Sequence, residues 1–344
     1  MLSVRGVDVR RASVIFKLFD PCTHSRSLHS LPTSSKMVAA VPPTGVLVAA
    51  VCFMKENEDL DRDAIIAHTS RLAKSGISAI LVQGDNGEAG LLSDEERIEV
   101  IRLTRKTLDE QGFSNIPVIA GASAPSVRGT IKLCTDASEA GAAFVLVLAP
   151  VAWPRKPTTE DAIESYSQVA DASPAPLIIY NFPPVVGGLN LDSDDITRLA
   201  QHPNIVGVKL ADGEMGKLHR LTSIFTPSQF GIYTSTVDCL THGLLSGCSG
   251  AMAAFPNVTP KLVVRLYELF KAGQVKEAME LQTKLAWAEW NAVKIGKLSV
   301  LKAVLSYGGT TVRRPLKSID RNDLAKSEHM KAIAEVIALE LELA

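Results

Sequence analysis

Three short stretches of the 344-residue chain carry side chains suited to chemistry at a carbonyl group. The first is Ile205-Val206-Gly207-Val208-Lys209. Read as a strand, its two-residue period puts Ile205, Gly207 and Lys209 on one face and Val206 and Val208 on the other. If the valines pack outward, Lys209 points inward at the strand's end. Burial disfavours an ammonium ion and lowers its pKa. The neutral amine can then attack a ketone and form a Schiff base. The other reading is a solvated lysine at a strand end. The second stretch, Leu177-Ile178-Ile179-Tyr180-Asn181, ends on a phenol. Neighbouring strands lie about 4.8 Å apart, so Tyr180 can approach Lys209 and shuttle protons for it. Alternatively, Tyr180 is an interior aromatic whose hydroxyl bonds backbone. The third stretch is Gln83-Gly84-Asp85-Asn86-Gly87-Glu88, where Asn-Gly and Gly84 mark a tight turn. Its backbone N–H groups can cradle a carboxylate, although taken alone it is equally a plain loop.

These stretches lie within an alternation that positions them. Apolar runs occur at 45–53, 78–83, 117–121, 142–149, 176–180, 205–210, 231–234 and 250–254. Several are apolar almost throughout, as strands buried on both faces must be. Between them lie segments of 3.6-residue periodicity. Residues 61–74 place Ala64, Ile65, His68 and Leu72 on one side. At 93–108, Ser93 and Glu96 form a capping-box pattern. Residues 126–140 end at Gly141. Eight strand–helix units predict an α/β fold, a closed (β/α)8 TIM barrel, rather than an open sheet. No GxGxxG follows the first strand, which speaks against a dinucleotide site. The remaining residues read as helices at 260–271, 275–293, 300–305 and 322–343. A single barrel domain over 37–344, with C-terminal helices from about 260, accounts for the length. Barrel enzymes work at the C-terminal ends of their strands, where Lys209 and Tyr180 fall.

Composition narrows the partners. Apolar residues make up 46% and charged residues 21%, enough for a large core. The net charge of −1 offers no basic footprint for nucleic acid or a membrane surface. No uncharged apolar run approaches the 18 residues of a membrane span. Five scattered cysteines fit a reduced compartment rather than a disulfide framework. Without CxxC, HExxH or a histidine pair, no metal site is expected. The near-neutral charge hides an asymmetry, however. Six basic and two acidic residues leave 1–36 at +4, so the rest carries −5. Seven serines and the apolar run 14–19 complete the composition of a mitochondrial transit peptide. A disordered tail, or extra sequence from a misplaced start codon, would leave the protein cytoplasmic.

In combination the three stretches resemble the pyruvate-dependent class I aldolases, the family of dihydrodipicolinate synthase, N-acetylneuraminate lyase and 4-hydroxy-2-oxoglutarate aldolase. Gly84-Asp85-Asn86-Gly87-Glu88 matches the family's Gly-x-Thr/Asn-Gly-Glu loop, Tyr180-Asn181-Phe182-Pro183 its Tyr-Asn-x-Pro motif and Gly207-Val208-Lys209 its Gly-x-Lys motif. The resemblance implies that Lys209 forms the Schiff base and Tyr180 relays protons. It implies that the backbone of Asp85, Asn86 and Gly87 holds the pyruvyl carboxylate. The last strand, with Met252, would line the opposite wall. It further implies no cofactor, a small keto-acid substrate, and a homo-oligomer, commonly a tetramer.

The departures from the family pattern narrow the substrate. Dihydrodipicolinate synthases carry two tyrosines after the strand-four proline; here the stretch is Pro150-Val151-Ala152-Trp153. They also carry an arginine after Tyr-Asn-x-Pro; here Pro184-Val185-Val186-Gly187-Gly188 replaces it. Both losses argue against that synthase activity. Asp85 stands where a hydroxyl residue is usual, and an ionised Asp85 aimed inward would repel a carboxylate. The leader, the Gln-Gly-x-Asn-Gly-Glu form and the Gln201–Gly207 run resemble mitochondrial 4-hydroxy-2-oxoglutarate aldolases, which release pyruvate and glyoxylate. A 2-keto-3-deoxy sugar-acid aldolase, giving pyruvate and glyceraldehyde, is the runner-up. A non-catalytic keto-acid binder and a metal-dependent aldolase are the readings outside this class.

Overall fold

The computed structural model describes residues 39–150, 158–305, 307 and 309–343. The leader at 1–36 and Trp153 lie outside these described residues. Eight parallel strands close into one barrel in chain order. They are β1 (Gly45–Ala49), β2 (Ala79–Val82), β3 (Val118–Gly121), β4 (Phe144–Leu148), β5 (Leu177–Asn181), β6 (Ile205–Leu210), β7 (Gly231–Thr234) and β8 (Gly250–Ala253). Each coincides with one of the eight apolar runs. The first run is longer than its strand, because pairing with β2 ends at Ala49 and the chain then turns over the rim.

The barrel wall separates two apolar layers. Leu47, Leu81, Leu146, Ile178, Tyr180 and Met252 fill the interior. Their strand neighbours Val46, Val48, Ile80, Val145 and Ile179 pack against the surrounding helices. Both faces are dry, which is why the strands read as continuous apolar runs. The helices between strands are α1 (Arg62–Lys74), α2 (Asp94–Glu110), α3 (Val127–Glu139), α4 (Thr159–Ala172), α5 (Ser193–Leu199), α6 (Met215–Ile224) and α7 (Leu240–Leu245). Ser93 and Glu96 make the reciprocal capping box of α2. Ala64, Ile65, His68 and Leu72 form the buried face of α1.

Beyond β8 run α8 (Pro260–Lys271), α9 (Val275–Ile295), α10 (Leu298–Ala303), α11 (Arg321–Ala325) and α12 (Met330–Glu342). The single helix expected over 322–343 is therefore two. Asp320 caps α11 through the Asn322 N–H, and turn bonds from the Lys326 and Ser327 N–H groups close it. Leu324 is the buried anchor of α11, and the buried Ile333 and Val336 belong to α12. Residues 326–329 carry no large apolar side chain to hold a helix to the core between them.

A bulge in β6 matters most for the site. Leu177 pairs with Ile205, but Ile178 pairs with Gly207, so Val206 has no β5 partner. Strict alternation would put Lys209 on the same side as Ile205, which packs outward. The extra residue resets the phase. Val206 faces the interior, Val208 faces the helices, and Lys209 comes to lie beside Tyr180. The two valines thus do not share a face, contrary to the reading by simple alternation. Bulges of this kind commonly re-aim a side chain at a site. Gly207 permits it, since a Cβ there would sit 2.7 Å from the Gly231 carbonyl oxygen.

Candidate active site

Lys209 and Tyr180 are register partners at the C-terminal ends of adjacent strands. The Lys209 ammonium lies 4.1 Å from the centre of the Tyr180 ring. Lys209 is only 2% exposed. Burial pulls its pKa down to about 8, with the nearby Asp85 carboxylate opposing that fall and the Lys297 cation adding to it. A substantial share of this lysine is then the neutral amine near neutral pH, the form that attacks carbonyl carbon.

Tyr180 reaches across the barrel mouth and donates its phenolic hydrogen to Asp85 Oδ2 at 2.7 Å. Burial, then the Asp85 charge and this bond, hold the phenol's pKa well above its ordinary value. Phe182 stacks on its ring at 5.4 Å. Asp85 is exposed to the mouth. Its carboxylate points toward Tyr180 and so toward the site rather than away from it.

The turn that carries Asp85 has a defined backbone. Gln83 adopts φ +59° and Glu88 φ +56°, and Asp85–Gly87 form one 3-10 turn between them. The Gly87 and Glu88 N–H groups bond back to Gly84 and Asp85. Among the described residues, the Asp85 and Asn86 N–H groups have no such partner, as expected at the start of a helical turn. Two adjacent free N–H groups suit an anion. Asn86 and Gly87 are buried. Gly121 at the end of β3 makes room for the turn: a Cβ there would lie 1.9 Å from the Gln83 carbonyl oxygen. Met252 is fully buried in the same interior cluster as Tyr180 and so lies in the packed interior.

Several supporting groups escaped the sequence reading. Asn181, the second residue of the Tyr-Asn motif, donates to Asn190 Oδ1 and Asp212 Oδ2 and accepts from the Leu191 N–H. Lys217 pairs with Asp212 at 2.7 Å, both almost wholly buried. This network fixes the loops beyond β5 and β6. Glu88 forms a fully buried ion pair with Lys302 and accepts from the Arg313 N–H at 2.6 Å. That pair fastens the turn to the C-terminal extension. The signal for Lys302 was a lysine set among the buried Val300, Leu301 and Ala303. A cavity of about 440 Å³ opens beside the site at the ends of β6 and β7, its walls including Asp212, Met215, Thr234 and Thr236. Among the described residues, no group of three His, Cys, Asp or Glu side chains is placed to hold a metal ion.

Comparison with known proteins identifies relatives of the whole barrel. The profile of the dihydrodipicolinate synthetase family matches residues 42–335. A protein of Emericella nidulans named probable mitochondrial 4-hydroxy-2-oxoglutarate aldolase is 42% identical over 301 residues, covering 87% of this chain and 96% of that one. The L-threo-3-deoxy-hexylosonate aldolase of Hypocrea jecorina is 41% identical, covering 88% and 98%. The crystal structure of a dihydrodipicolinate synthase family protein from Coccidioides immitis superposes with a TM-score of 0.77 at 36% identity, covering 89% and 99%. The chain belongs to the dihydrodipicolinate synthetase family.

Proposed function

We propose that this family member is a class I aldolase that splits 4-hydroxy-2-oxoglutarate into pyruvate and glyoxylate through an imine on Lys209. The observation that carries the reading is the buried Lys209 amine held against Tyr180, whose hydroxyl is bonded to Asp85. Neutral Lys209 attacks the C2 ketone. Tyr180 moves protons as water leaves, and a protonated imine forms. The C1 carboxylate rests on the Asp85 and Asn86 N–H groups, with Gly87 behind them and Met252 as apolar floor. The imine withdraws electrons from the C3–C4 bond. As that bond breaks, the C4 hydroxyl proton passes to the Tyr180 oxygen while Tyr180 hands its own proton to Asp85. Glyoxylate leaves, C3 of the enamine takes back that proton from Asp85 through Tyr180, and water hydrolyses the imine to release pyruvate and the free Lys209 amine. A phenol with so high a pKa is a poor base by itself; a carboxylate 2.7 Å away gives its proton a destination.

Pyruvate release from 4-hydroxy-2-oxoglutarate, coupled to lactate dehydrogenase, tests the reading. Turnover that disappears in Lys209→Ala supports it, and a purified protein that releases pyruvate neither from this substrate nor from a 2-keto-3-deoxy sugar acid would instead be a keto-acid binder. The name of the Hypocrea jecorina relative keeps a 2-keto-3-deoxy sugar acid as the second substrate to compare by kcat/KM. The name of the Emericella relative, with the basic leader, supports a mitochondrial location. Self-association is supported by Trp287 and Trp290, 60% and 50% exposed on one face of α9; sedimentation would show a mass above that of one chain.

A further inference from the structure

The C-terminal extension is pinned to the barrel's catalytic rim at two separated points. On α9, Glu289 accepts from the Val237 and Asp238 N–H groups at 2.7 and 2.9 Å, just beyond β7. On α10, Lys302 is paired with Glu88, just beyond β2. β8 and β1 lie between those strands in the closed barrel. The fourteen residues from 289 to 302 therefore bridge one side of the mouth to another. In the middle of that bridge is Lys297. Its backbone sits at φ +43°, ψ −90°, a conformation in which a side chain other than glycine's is strained. The side chain is exposed. Other cations set around these strand ends are committed to carboxylates: Lys302 to Glu88, Lys217 to Asp212 and Arg313 to Glu96. Among the described residues, the Lys297 ammonium has no hydrogen bond or salt bridge. Its charge nevertheless reaches both Lys209 and Glu289.

The substrate brings a charge that nothing else on this side answers. With its first carboxylate on the Asp85–Asn86 turn, a 4-hydroxy-2-oxo diacid would extend a second one toward the mouth, where the cavity beyond β6 and β7 is walled by Asp212, Glu214 and Asp238 and, among the described residues, by no cation. The loop after β5, residues 183–188, offers only Pro, Val and Gly. We infer that Lys297 is the specificity-determining cation that receives the distal carboxylate of the substrate, selecting a diacid over a 4-hydroxy-2-oxo acid with a neutral end. This inference rests on the aldolase reading of the Lys209 site and adds the substrate's charge class to it. Lys297 does not touch the reacting carbons; it binds the end of the molecule that becomes glyoxylate.

The test compares two substrates that differ only at that end: 4-hydroxy-2-oxoglutarate and 4-hydroxy-2-oxopentanoate, in which a methyl group replaces the distal carboxylate. In Lys297→Met the ratio of their kcat/KM values should fall about three- to fivefold, mainly through the KM of the diacid, as for one exposed charged contact. Lys297→Arg should restore most of the ratio. Both variants place a non-glycine residue at the same strained backbone position, so charge is what separates them. In the unaltered enzyme, 0.5 M KCl should erode the diacid preference by screening. An unchanged ratio in Lys297→Met, or an Arg variant as unselective as the Met variant, overturns the assignment of Lys297 and leaves the aldolase reading standing. An unaltered enzyme that cleaves the neutral-ended acid better than the diacid also overturns it. Failure to cleave either substrate removes the 4-hydroxy-2-oxoglutarate reading and this inference with it.

Discussion

Replacing Asp85 by Asn should move two steps of the reaction in opposite directions. The substitution keeps the size and the turn but removes the charge and the proton acceptor. Asp85 holds the Lys209 ammonium against the desolvation that lowers its pKa to about 8. At pH 7 a lysine of that pKa is neutral in about one molecule in ten. Losing a nearby opposite charge should lower the pKa by on the order of one pH unit, about 1.4 kcal/mol, and raise the neutral share to about one half. Trapping of pyruvate by borohydride at pH 7 should then be up to about fivefold faster in Asp85→Asn. Its dependence on pH should follow the same sign: the rise in imine formation with pH moves to lower pH. Cleavage of 4-hydroxy-2-oxoglutarate should go the other way. Tyr180 now has no carboxylate 2.7 Å away to take its proton, and kcat should fall on the order of a hundredfold, the scale of a lost acid–base partner. The two assays share enzyme and conditions. If trapping and kcat fall by the same factor, Asp85 merely shapes the turn. If kcat is unchanged, the relay through Asp85 is wrong.

Three further outcomes follow from the same geometry. Tyr180→Phe keeps the ring on Lys209 but loses the hydroxyl, so kcat should drop about 10²- to 10⁴-fold with KM little changed, measured by coupled pyruvate release. Gly121→Ala would force a methyl group to 1.9 Å from the Gln83 carbonyl oxygen; urea unfolding should show a loss of about 1–3 kcal/mol or more, because the clash is with backbone. Glu88→Gln strands Lys302 in a fully buried position and should cost about 3–5 kcal/mol, whereas Glu88→Met with Lys302→Met should recover most of it in the same urea titration.

The barrel was legible because strands dry on both faces must be apolar along their length, and eight such runs stand between helical patterns. The ends of β2, β5 and β6 likewise disclosed the turn, the phenol and the amine. The reason Lys209 points inward was not legible. Alternation from Ile205 assumes an unbroken strand, whereas the bulge at Val206 depends on which β5 residue each β6 residue meets. That register is a property of two strands. For the same reason the partner of Asp85 could not be read from its turn, since Tyr180 lies 95 residues away. Glu88 and Lys302 are 214 residues apart, joined by no local pattern. The division of the last helix turned on where buried anchors stop, which periodicity averaged over 322–343 conceals.

The most direct measurement is the site of covalent capture. Full-length protein incubated with pyruvate and borohydride, then digested and analysed by mass spectrometry, should carry one reduced pyruvyl group, on Lys209. Lys302 and Lys217 are internal controls: both are as deeply buried, but each is paired with a carboxylate. A single adduct on Lys209, absent from Lys209→Ala, is the predicted result. An adduct on any other lysine, or none while pyruvate is still released from the hydroxy keto acid, would contradict the Schiff-base account.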